Sequence, residues 1–169
     1  MKNRGTFRSR GAALFLVLSL IGLLVLAAAC GGEKAAATIP PTKWVINMSA
    51  VEYKGSTEVA KEPFPAQAAP PGGGYILKPP TDGKWETSAY RWTPEVISVF
   101  QGDDVELRIF GINGAEHPSK IEGYVDSFNV KRGQLTSVAF KADRVGVFKL
   151  ICTTHLPSME GYLIVLPRP

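Results

Sequence analysis

The chain has 169 residues, room for one domain of ordinary size plus extra segments, and it carries 19 Lys plus Arg against 15 Asp plus Glu. Four of those bases, Lys2, Arg4, Arg8 and Arg10, stand at the extreme N-terminus, and beyond them the two signs balance at 15 each. The apparent basicity therefore belongs to a leader, no later basic cluster is interleaved with aromatics, and a nucleic-acid partner is not implied.

Taken in chain order, the basic head precedes an uncharged apolar stretch over residues 11–29 that ends in small residues, the pattern of an export signal. The sequence Leu26-Ala27-Ala28-Ala29-Cys30-Gly31-Gly32 resembles a bacterial lipoprotein signal. That resemblance implies lipidation of Cys30, cleavage before it, and a domain outside the cytoplasm anchored to the cell membrane. An uncleaved N-terminal membrane helix is the alternative, and it leaves the domain on the same side. Residues 30–41 are small and polar and read as a flexible tether.

Residues 42–169 read as one domain, with a Pro/Gly-rich insertion at about 54–84. Trp44, Ile46 and Met48 alternate against Val45, Asn47 and Ser49, which predicts a strand over 44–53. Residues 63–80 hold six prolines and Gly72-Gly73-Gly74, and no regular element is expected there. Further strands are expected at 95–100, 105–110, 125–130, 135–140, 147–152 and 161–166, separated by turn residues such as Gln101-Gly102-Asp103-Asp104. Asp103 and Asp104 read as turn formers, and Trp44, Trp85 and Trp92 as packing or sealing residues. Short strands at regular spacing, without helical periodicity after residue 41, predict an all-β antiparallel sandwich.

The chemistry concentrates in Cys152-Thr153-Thr154-His155-Leu156-Pro157-Ser158-Met159, placed between two expected strands. Cys30 is assigned to lipid, so Cys152 stands alone in an oxidising compartment and is either inert by burial or occupied. Thiolate and thioether suit Cu(I), imidazole accepts Cu(II), and two His plus one Cys with a weak axial Met is the blue-copper electron-transfer set. The other imidazole comes from His117, the one remaining histidine, expected in a loop after the 105–110 strand at the same pole of the sandwich. Beyond the signal, His117, Cys152, His155 and Met159 use every His, the one unlipidated Cys and one of two Met, leaving Met48.

Thr93-Pro94-Glu95-Val96-Ile97-Ser98-Val99-Phe100-Gln101-Gly102-Asp103, a histidine after a strand, and C-x2-H-x3-M before a last strand resemble the cupredoxins over about residues 84–169. The resemblance implies an eight-stranded Greek-key sandwich, one copper ion at its end, and electron transfer. The stretch from Met159 to Val165 also resembles the copper domain of cytochrome oxidase subunit II and nitrous oxide reductase. Those relatives bind a dinuclear centre through two loop cysteines, and this chain has one. In the family the C-terminal histidine passes the electron, a role that falls on His155, with Leu156, Pro157 and Pro118 as an apolar docking patch. The expectation is a monomeric electron carrier, not an enzyme, working with redox proteins of a membrane electron-transport chain. Copper enzymes need further histidines that the sequence lacks. A Cu(I) storage or delivery protein and a small redox subunit of a respiratory oxidase are the alternatives.

Overall fold

The computed structural model describes residues 38–169. The export signal, Cys30 and most of the tether lie outside the described residues. Among the described residues, ten strands form two five-stranded sheets. They are β1 (Lys43–Glu58), β2 (Tyr75–Thr81), β3 (Lys84–Thr93), β4 (Val96–Phe100) and β5 (Asp104–Gly111), then β6 (Glu116–Ile121), β7 (Val125–Lys131), β8 (Leu135–Lys141), β9 (Gly146–Cys152) and β10 (Glu160–Leu166). One sheet has the order β2-β3-β1-β5-β8, the other β4-β10-β9-β6-β7.

The alternating pattern explains how the sheets face one another. Val105, Leu107 and Ile109 of β5 turn inward, as do Met48 and Ala50 of β1 and Tyr90 and Trp92 of β3. They meet Leu150 and Cys152 of β9, Leu163 and Val165 of β10, and Ile121 and Val130 in one buried cluster. A sheet residue alternates sides, so each strand supplies this core with every second side chain. The all-β sandwich expected from the sequence is thus the architecture found.

Two strand pairs depart from the antiparallel expectation. β1 runs parallel to β5, and β4 runs parallel to β10. The segment expected to lack regular structure also differs. β1 continues to Glu58, and β2 takes in Pro79 and Pro80 at the edge of its sheet. Its ladder with β3 shifts register between Lys78 and Thr81, so the two missing N–H groups fall where no partner requires them. His117 lies on a strand, β6, not in a loop. Pro118 is tolerated beside it because pairing of β6 with β9 begins only at Ser119.

Candidate metal centre

The strand ends bring the sequence-predicted donors to one pole. Ser119 of β6 pairs with Cys152 of β9, which sets His117 two residues from the cysteine's level. After Cys152 the chain makes a tight loop: Met159 N–H donates to His155 O at 2.9 Å, and Cys152 N–H donates to Met159 O at 3.1 Å. Thr153 N–H donates to Pro118 O at 2.9 Å, which fastens the loop to β6. Cys152, Met159 and His117 are fully buried, and His155 is half-buried.

The donor atoms point at one another. Nδ1 of His117 lies 3.2 Å from Nδ1 of His155, and Sγ of Cys152 lies 3.3 Å from that same His155 nitrogen. All three donors fall within 4.8 Å of one another, the arrangement of a metal-holding group. The tautomer of His117 follows from its other nitrogen. Nε2 lies 3.0 Å from the carbonyl oxygen of Asn113, which can only accept, so Nε2 carries the proton and Nδ1 presents a lone pair. His155 Nδ1 thus sits between the His117 lone pair and the Cys152 sulfur, where a proton on that nitrogen or a cation shared by all three satisfies the donors.

Electrostatics point the same way. Burial pushes the His117 imidazole below its ordinary range, against the partial support of the Asn113 carbonyl. Burial and then the neighbouring His117 lower His155. Burial raises the Cys152 thiol, while backbone N–H groups of Thr154 and His155 and the Ser119 hydroxyl oppose that rise. The protein alone thus favours neutral imidazoles, which are ready to ligate. The same N–H groups are in place to stabilise a thiolate once a cation draws the proton off. A soft sulfur beside two imidazoles, with the buried thioether of Met159 in the same loop, fits copper by its donor chemistry.

Six neighbours of the centre were not assigned to it from the sequence. The Tyr90 ring stacks on His155, with centroids 3.7 Å apart and planes 7° from parallel. Trp92 tilts against His117 at 6.3 Å. Its indole N–H is buried without a hydrogen-bond partner among the described residues. Asn113 is clamped to β1 on both sides: Glu52 N–H donates to its Oδ1 at 2.7 Å, and its Nδ2 donates to Glu52 O at 2.8 Å. Gly72, Gly73 and Gly74 lie against the Thr154-to-Ser158 loop. The Asn113-Gly114 dipeptide is a turn signal that could have marked Asn113; nothing local marks Tyr90.

No family model matches the chain, and no curated protein matches it. Among solved structures, a copper nitrite reductase from Nitrosomonas europaea is similar at a TM-score of 0.49 and 18% identity, covering 74% of this chain and 42% of that one. The multicopper oxidase mgLAC is similar at 0.47 and 18%, covering 75% and 39%. A blue copper oxidase from Nitrosomonas europaea is similar at 0.46 and 16%, again covering 75% and 39%. The chain therefore spans well under half the length of these proteins, and their activities are theirs. One expectation from the sequence is corrected here. The chain was read as not an enzyme, and the neighbours are enzymes by title, matched over one part of each, so that assignment is withdrawn.

Proposed function

We propose that the chain binds one copper ion through His117, Cys152, His155 and Met159 and passes single electrons through it. The observation that carries this reading is the convergence of two imidazole Nδ1 atoms and one buried sulfur within 4.8 Å. Bound copper supplies a one-electron couple between Cu(I) and Cu(II). The chain's own part is to hold the donors still. Asn113 fixes the His117 ring through its carbonyl, β6 and β9 fix His117 and Cys152 through their pairing, and Met159 is tied to both Cys152 and His155 by backbone hydrogen bonds. Donors that cannot move limit the rearrangement between the two charge states.

The test is a visible absorption and electron paramagnetic resonance spectrum of the purified chain loaded with Cu(II). An intense thiolate-to-copper band with a narrow copper hyperfine splitting, both lost in Cys152→Ser, is the expected result. A colourless protein that takes only Cu(I) would favour storage or delivery instead.

The same proposal includes a lipid anchor at Cys30 on the outer side of the cell membrane, with redox proteins of the membrane electron-transport chain or a respiratory oxidase as partners. The export-signal pattern and the Cys30 position support it. Mass spectrometry of the mature N-terminus should find a lipid on Cys30, and Cys30→Ser should move the protein from membrane to soluble fractions. An unmodified Cys30 within an intact leader would instead point to a retained membrane helix.

A further inference from the structure

Residues 63–77 contain no charged side chain and lead into β2 along the loop that carries His155. Three consecutive glycines make the closest approach. A Cβ on Gly72 would fall within 3.0 Å of Leu156 O, one on Gly73 within 3.0 Å of Thr154 O, and one on Gly74 within 3.0 Å of both His155 O and Ser158 Oγ. Apart from Ser158 Oγ, these contacts are to backbone oxygens of the loop, so no flexible side chain can give way to relieve them. Gly72 also has φ of 116°, which other residues avoid. Hydrogen bonds follow the same line. Gly74 N–H donates to Leu156 O at 3.0 Å, and the Gly74 carbonyl accepts from both Tyr90 N–H, at 3.1 Å, and the Ser158 hydroxyl. That one carbonyl joins the loop holding His155 to the residue whose ring lies flat on His155.

We propose that Gly72, Gly73, Gly74 and Tyr90 form a clamp that positions the His155 imidazole and the 153–159 loop. The backbone of the glycine segment presses the loop inward, while Tyr90 fixes the plane of the ring. Nothing in this arrangement needs Tyr90 or the glycines to touch a metal; they act through His155. For its effect on the metal centre the inference rests on the copper reading above, whereas the clamp itself is a property of the protein alone.

The experiment separates the two. In the metal-free chain, amide hydrogen exchange over residues 153–159 is compared among the wild type, Gly73→Ala and Gly55→Ala. A Cβ at Gly55 of β1 meets only Thr87 Cγ2 at 3.6 Å, which makes it a control in the sheet that the glycine segment leads into. Exchange should quicken by about tenfold in Gly73→Ala, the effect of losing one or two buried hydrogen bonds, and stay unchanged in Gly55→Ala. Unchanged exchange in Gly73→Ala would overturn the clamp. With Cu(II) bound, Gly73→Ala and Tyr90→Leu should shift the paramagnetic resonance spectrum, and Tyr90→Phe, which keeps the stacked ring, should restore it. Altered exchange with an unaltered spectrum in both variants would overturn the positioning role. If the wild type gives no copper–thiolate band, the copper reading fails, and the exchange result still decides the clamp.

Discussion

Asp103 shows what one buried charge does in this molecule. Its carboxylate is 1% exposed and accepts from Thr42 N–H at 2.8 Å, Trp44 Nε1 at 3.0 Å, Phe100 N–H at 2.9 Å and the Arg168 guanidinium. Burial would raise its pKa, but these donors outweigh burial and hold it at about 2, below the ordinary 3.8. A carboxylate so held stabilises the fold above its ordinary pKa and loses that contribution as pH falls from 3.8 through about 2. In urea unfolding across a pH series, Asp103→Asn is expected to flatten the loss of stability in that window relative to wild type. At neutral pH, Asp103→Ala should cost about 3 kcal/mol or more, because Arg168 and two backbone N–H groups lose their acceptor. Asn113→Ala should cost about 1–2 kcal/mol by orphaning the Glu52 backbone, and should speed copper loss to a chelator by loosening His117. The sequence showed Asp103 only as a turn former. Its partner Arg168 lies 65 residues away, and no local pattern joins the two. His117, Cys152 and His155, which the structure brings together, stood out in the sequence because their residue types are scarce and chemically specific.

At the scale of elements, legibility followed periodicity. β5, with Val105, Leu107 and Ile109 facing inward, stands within a residue of its expected bounds, as do β4, β7, β8, β9 and β10. β2 and β6 were missed because each contains proline, which counts against a strand locally but is tolerated at a sheet edge or strand start. β3 carries inward Ser88, Tyr90 and Trp92, too polar a face to stand out as a core strand. Pro79 and Pro80 also have a use at the β2 edge: together with the exposed Lys78 they blunt a row of unpaired backbone groups. Replacing both prolines by valine is expected to promote edge-to-edge association, seen by light scattering as a rise in mean mass with concentration. A strictly monomeric double variant would remove the guarding role.

For the molecule as a whole, the long strands decide what lies at each end. β10 runs from the loop that carries His155, beginning at Glu160, to Leu166, which accepts from Gln101 N–H beside Asp103. Seven residues of strand span about 20 Å. The residues proposed for docking, half-buried Leu156 and Pro118 and exposed Pro157, stand at the first end. Leu156→Asp is expected to slow electron self-exchange between Cu(I) and Cu(II) forms, measured by magnetic resonance line broadening, with an unchanged copper spectrum. An unchanged exchange rate would remove Leu156 from the docking surface.

At the other end, Arg168 donates to the carbonyls of Ile39, Pro40 and Gln101 as well as to Asp103, so the first described residues and the last strand's exit are bound into one knot. Anything fastened to either exit, whether a gold electrode, a resin or a fused domain, is therefore held at the blunt end of the sandwich. A copper-loaded sample wired to an electrode through its C-terminus should answer poorly in direct voltammetry and well through a dissolved mediator. The same attachment through a cysteine placed at Pro157 should reverse that order.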